Sequence, residues 1–165
     1  MIDQVYQQAI LDLARAADGA GGLLDPDASA TVDNPVCGDR VTVDVRLADG
    51  AVAALGHRVR GCLLCEATAA VLGRRAVGEP PGRLHDIRTA FIRMIREDGP
   101  APAGWPELEA FTPVRGARSR HECVLLPFAA LADALNGALN GTRAGIGPVA
   151  VPPPGGTGIT EPGSR

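Results

Sequence analysis

The chain of 165 residues contains no lysine, and all sixteen of its basic residues are arginine. A Schiff-base lysine and a Gly-Lys-Ser/Thr phosphate loop are thereby both excluded. Aromatic residues are scarce as well, with one Trp, one Tyr and three Phe, so the sequence predicts a core packed from Val, Leu, Ile and Ala. No unbroken apolar run reaches the roughly 18 residues of a membrane-spanning helix. The opening Met1-Ile2-Asp3-Gln4 lacks the basic start and apolar stretch of a signal peptide. A net charge of -3 gives no basic excess to draw the chain to nucleic acid or anionic lipid. The expectation is a soluble, cytoplasmic protein with neither nucleic acid nor membrane as partner.

Cysteine is also sparse, at four residues. In a reducing compartment four thiols read as ligands or nucleophiles rather than as disulfides. The length suits one domain, expected over residues 1–140. Residues 141–165 are Gly, Pro and Thr with little to bury, and are expected to form a disordered tail.

Apolar residues at Val5, Tyr6, Ala9, Ile10 and Leu13 form one stripe of a first helix, which Asp18-Gly19 ends. Residues 23–33 read as loop with a short strand. Arg40 to Leu47 alternates with Val41, Val43, Val45 and Leu47 on one face, the pattern of a half-buried strand. Asp49-Gly50 signals a hairpin, and Ala51 to Arg60 returns with Ala53, Leu55, His57 and Val59 inward. Leu63 to Ala76 is a second helix. Leu84, Ile87, Phe91, Met94 and Ile95 mark a third, amphipathic one. A Pro/Gly-rich connection over 99–116 leads to a last helix over Val124 to Leu139, with Pro127 expected in its first turn.

The residues that carry chemistry sit at the ends of these elements. In Asn34-Pro35-Val36-Cys37-Gly38-Asp39 a thiol and a carboxylate lie two residues apart on a turn, where Gly38 lets the backbone bend. Cys62 follows Gly61 where a strand hands over to a helix, and Cys123 also stands at a helix entry. A helix N-terminus favours thiolate, although either cysteine alone also fits a small buried hydrophobe. Together Cys37, Asp39, Cys62 and Cys123 supply three sulfurs and one oxygen, a set that suits tetrahedral zinc and equally an iron–sulfur cluster. The carboxylate is the harder, poorer partner for soft metal chemistry.

Cys65 completes a Cys62-Leu63-Leu64-Cys65 C-x-x-C at a helix start, the local arrangement of thiol–disulfide oxidoreductases. Against that reading, the neighbouring hairpin predicts antiparallel pairing rather than alternating strands and helices. A purely structural zinc site would favour close C-x-x-C pairs, whereas 60 residues separate Cys62 from Cys123. His57 is expected to be a satisfied core histidine and His85 a surface residue.

The three motifs Asn34-Pro35-Val36-Cys37-Gly38-Asp39, Gly61-Cys62 and Arg120-His121-Glu122-Cys123-Val124-Leu125-Leu126-Pro127, in this order, resemble those of the IscU/SufU/NifU iron–sulfur cluster assembly scaffold family. The opening Val5-Tyr6-Gln7-Gln8-Ala9-Ile10-Leu11-Asp12 is similar too, so the resemblance runs from Ile2 to Leu139. The long spacing before Cys123, with an insertion within 93–115, and the absence of a Leu-Pro-Pro-Val-Lys motif resemble the SufU branch.

The resemblance implies an α+β fold of the SufE/NifU-like kind: a small antiparallel sheet of about three strands, helices packed on one face, and ligands at one end. It implies a cysteine desulfurase of the SufS-like kind as sulfur donor, and apo iron–sulfur proteins or carriers downstream. It makes Cys37 the persulfide acceptor, Asp39 the acidic ligand and Arg120 an arginine near the site. The cofactor is then zinc or a transient [2Fe–2S] cluster, and the alternative to a scaffold is a zinc-dependent sulfurtransferase that activates the desulfurase. This chain departs from its relatives at Cys65, at His121, and at Glu122, which stands where they carry His or Lys. These three residues and Arg120 are accessory candidates at the site.

Overall fold

Residues 4–141 are described by the computed structural model, and within them one tight turn sets the sheet. Strands β2 (Asp39–Ala48) and β3 (Ala51–Arg60) are joined by Asp49 and Gly50. Both turn residues have positive φ, 54° and 79°, as a two-residue hairpin turn that matches strand twist requires. Strand β1 (Ala28–Asn34) pairs antiparallel with the other edge of β2, giving the order β1-β2-β3. At seven residues β1 is a full strand rather than the short one expected.

The alternation in β2 is as the sequence predicts, with Val41, Val43 and Val45 fully buried. On the opposite face Thr31 and Thr42 share a hydroxyl hydrogen bond of 2.7 Å. There too the buried Asp44 accepts hydrogen bonds from Ser29 Oγ and the Leu23 amide. The register of β3 differs from expectation at one place. A bulge opposite Arg46 and Leu47 brings Val52 inward and leaves Ala53 exposed, because one extra residue reverses the alternation.

The helices are α1 (Gln4–Ala16), α2 (Leu63–Arg75), α3 (Pro81–Glu97) and α4 (His121–Leu139). α4 packs across β1 and β2, α2 lies between it and α1, and α3 packs on α4. The five residues that predicted α3 are the five it buries. In α1, Ile10 and Leu13 are buried while Val5 stays largely exposed. Arg118–Leu139 has the length and mean hydropathy (1.4) of a membrane span, but here these are the properties of a core helix under a sheet.

Two expectations are corrected by the segment before α4. The 99–116 connection is not bare loop, since Pro106–Gly116 forms a 3-10 helix that buries Leu108, Phe111 and Val114. Arg75 clasps it to α2 through two hydrogen bonds of 2.8 Å to Glu107. The core is also not purely aliphatic. Trp105 and all three Phe are buried in one group, Phe91 lying 5.7 Å from Phe111 and 5.3 Å from Phe128 between ring centres. A further 3-10 turn, Arg118–Arg120, leads into α4. Pro127 therefore falls inside α4, beyond its first turn. The predicted tail lies, from residue 142 onward, outside the described residues.

His57 is buried on the inward face of β3, opposite Val43. Its Nε2–H donates to the Asp18 carbonyl at 2.7 Å, and Nδ1 has no partner among the described residues. Burial holds this imidazole below its ordinary value of 6.5, against a smaller opposing pull from the Asp18 carbonyl. The unfolded chain thus binds a proton that the folded chain resists, and stability is lost as pH falls through the unfolded value. Thermal unfolding midpoints should drop between about pH 7 and about pH 5.5, and His57→Gln should flatten that dependence. Equal slopes for the two proteins would remove His57 as the cause.

Candidate metal centre

The turn between β1 and β2 builds the first half of the site. Asn34, itself buried, uses its side-chain oxygen to accept the Val36 amide at 3.1 Å, and its carbonyl accepts the Gly38 amide at 2.8 Å. This local bonding is what Asn at a turn start offers. Gly38 adopts φ 77°, a conformation that glycine takes without steric cost. The result is an exposed Cys37 at the tip and Asp39 as the first residue of β2.

Asp39 continues the inward alternation of Val41 and Val43, so its carboxylate is buried, at 4% exposure. It meets Cys123, in the first turn of α4 and 1% exposed. The Cys37 and Cys123 sulfurs are 3.2 Å apart, a thiol contact rather than a disulfide. One ligand atom from each of Cys37, Asp39 and Cys123 falls within 4.8 Å of the others.

Cys62, the fourth expected ligand, stands at the N-cap position of α2 with no side-chain capping hydrogen bond, half-buried and outside that group of three. It is close enough for its charge to raise both Cys65 and Cys123. Cys65, one turn further along α2, has no exposure at all. Burial first, and the Asp39 charge second, push its thiol far above the usual range. A thiol so enclosed is packed as a small hydrophobe, which is a poor arrangement for the resolving partner of a C-x-x-C oxidoreductase.

The accessory candidates separate by direction. His121 Nε2 lies 3.1 Å and 3.0 Å from the carbonyl oxygens of Val114 and Arg115, capping the end of the preceding 3-10 helix. Glu122 is exposed and paired with Arg96 of α3. Arg120 is exposed at the entry to α4 and is not in an ion pair among the described residues. Beside this entry a cleft of about 390 Å³ opens between Asn34 and Pro35 on one side and Arg88, Arg96 and Glu122 on the other.

The donor set fits a soft or borderline cation. Asp39 Oδ2 is buried without a hydrogen-bond partner among the described residues, a state that costs free energy unless a cation or donor completes it. Burial, followed by hydrogen bonds with Cys37 and Asp39, pushes the Cys123 thiol far up. A bound cation supplies the charge that makes such a thiol a thiolate. α2 and α4 both begin here, and the positive ends of their dipoles favour the same anionic ligands.

One partner was not evident beforehand. A Cβ placed on Gly61 would lie 2.7 Å from Asp39 Cγ, so the glycine before Cys62 is part of the site's shape. The sequence signal was the Gly61-Cys62 dipeptide itself, with nothing to say which residue needed the space.

No family model matches the chain. Among curated proteins it is 24% identical over 131 residues to an iron–sulfur cluster assembly scaffold protein IscU of Thermotoga maritima, covering 79% of this chain and 92% of that one. A second, from Streptococcus pyogenes, is 22% identical, with coverages of 84% and 87%. Among solved structures, a SUF-system scaffold protein from Fervidobacterium islandicum shares the fold at 20% identity and a TM-score of 0.71, covering 78% of this chain and 94% of that one. The N-terminal part of a NifU-like protein from Brucella abortus superposes with a TM-score of 0.79 at 37% identity, over 82% of this chain and 95% of its own. With that degree of identity over 95% of the solved NifU-like chain, this chain belongs to the IscU/NifU-like family of iron–sulfur cluster assembly scaffolds.

Proposed function

We propose that this scaffold accepts sulfur at Cys37 from a cysteine desulfurase and assembles a [2Fe–2S] cluster as cargo on Cys37, Asp39, Cys62 and Cys123, for release to apo iron–sulfur proteins or carriers. The observation that carries the reading is the convergence of Cys37, Asp39 and Cys123 within 4.8 Å around a buried carboxylate oxygen that has no partner. In the transfer, the Cys37 thiolate attacks the outer sulfur of the donor's persulfide. The S–S bond to the donor cysteine breaks, that cysteine leaves as thiolate, and Cys37 carries the persulfide, whose outer sulfur enters the cluster as sulfide on taking two electrons from an external thiol reductant.

The surroundings support this use. Cys37 is exposed on a turn while Cys123 is enclosed, which suits an acceptor that a partner reaches and a ligand that it does not. Val36, 93% exposed, and Leu63, 41% exposed, flank Cys37 and Cys62 with apolar surface. Arg118 and Arg120 add positive charge at the α4 entry. Asp39 as one ligand of four leaves one weak bond through which cargo departs. Such thiol chemistry needs the reducing conditions of a cytoplasm.

A second reading is a zinc-dependent sulfurtransferase, in which zinc organises the thiolates and Cys37 hands sulfur on. It is favoured by the long segment between Cys62 and Cys123, whose expected insertion within 93–115 falls on the end of α3 and most of the 3-10 helix and resembles the SufU branch.

Two measurements test these readings. Protein purified without oxygen and supplied with ferrous iron, a desulfurase with cysteine, and a thiol reductant that brings persulfide sulfur to sulfide should develop a thiolate–iron absorption. Colourless protein that retains one tightly held zinc under the same treatment would favour the second reading and sink the first. Cys37→Ser should lower the stimulation of a cognate desulfurase by about tenfold or more, with an unchanged unfolding midpoint because the residue lies on an exposed turn. Full stimulation by the variant would remove Cys37 as acceptor.

A further inference from the structure

The hairpin register pairs Arg40 with Arg60, and continuing it by one step sets Asp39 directly across from Gly61. Residues opposite each other in an antiparallel pair project to the same face with Cβ atoms about 5 Å apart. Here the approach is far closer. A Cβ on Gly61 would stand 2.7 Å from Asp39 Cγ, 2.8 Å from Oδ1 and 3.0 Å from Cβ. Gly61 is not among the positive-φ glycines, so its value at this place is missing volume rather than backbone freedom.

We infer that Gly61 is the positioning residue of the carboxylate ligand: the recess left by its absent side chain fixes the Asp39 carboxyl beside Cys37 and Cys123. Asp39 cannot evade an added methyl by swinging into solvent. It is 4% exposed, at the inward end of β2, with a carboxylate oxygen within 4.8 Å of both the Cys37 and the Cys123 sulfur. Filling the recess must turn the carboxyl out of the place from which it completes the donor set. The inference rests on the reading that this site holds a metal or cluster, and it assigns Gly61 the part of setting how firmly the oxygen ligand binds.

The test compares wild type, Gly61→Ala, Asp39→Ala and the double variant by two measurements. Zinc affinity is read by competition with a chromophoric chelator. Stability of the metal-free proteins is read by chemical denaturation. Gly61→Ala should weaken zinc binding by about ten- to a hundredfold and lower the metal-free denaturation midpoint. In the Asp39→Ala background, where of these contacts the 3.0 Å approach to Cβ remains, both effects should shrink severalfold, so that the double variant lies close to Asp39→Ala. Should Gly61→Ala alone fail to fold, recovery of the fold in the double variant supports the inference equally. Loss of fold in both, equal effects of Gly61→Ala in either background, or no effect at all overturns it. If wild type binds neither zinc nor iron, the proposed function falls, while the metal-free cycle still decides whether Gly61 and Asp39 are coupled.

Discussion

The register of β2 is the constraint on which the rest of the molecule depends. Its inward positions run Asp39, Val41, Val43 and Val45, so one alternation both seals the sheet against α4 and carries a carboxylate to the edge of the core. A slip of one residue would turn the three valines to solvent and take the acid away from the thiols. Three buried valines contribute on the order of 5 kcal/mol to holding that register, which works against the cost of burying a carboxyl whose Oδ2 has no hydrogen-bond partner among the described residues. The Asp49-Gly50 turn fixes the same register on the side of β3.

The site is assembled from chain ends that the fold brings to one pole. The β1–β2 turn delivers Cys37, the end of β3 delivers Gly61 and Cys62, and the first turn of α4 delivers Cys123. These segments are far apart in sequence, and each is held by an element with its own buried face. The 3-10 helix clasped by Arg75 and Glu107 extends this scaffold, and His121 is committed to closing that helix rather than facing the sulfurs. Glu122, engaged with Arg96, belongs to the wall of the neighbouring cleft. The inner pole of the site is therefore sulfur and one carboxylate, and its outer rim is arginine and glutamate.

Where sequence periodicity was strong, the structure was legible in advance. The five buried positions of α3, the alternation of β2 and the Asp-Gly hairpin all follow from side-chain spacing alone. β1 was underestimated because its inward positions include Ala28 and Ala30, which carry little β signal. The bulge that exchanges Ala53 for Val52 depends on pairing and leaves no mark in a single strand. The 3-10 helix was hidden by its prolines and glycines, and the clustering of Trp105 with the three Phe is a long-range fact that composition could not express. At the site, the candidate ligand residues stood out through their turn and helix-start positions. The departure of His121, the enclosure of Cys65 and the recess at Gly61 depend on tertiary packing.

Pro127 has a consequence for how the pole responds to load. It lies four residues after Cys123 within α4, and proline has no amide hydrogen to return to the carbonyl one turn earlier. The peptide that bears the buried thiol is thus untied from the turn that follows it, while Phe128 and Leu131 anchor the rest of the helix in the core. The one backbone bond that α4 forgoes to proline thus falls at the residue carrying the buried thiol, so give in that first turn need not strain the helix behind it.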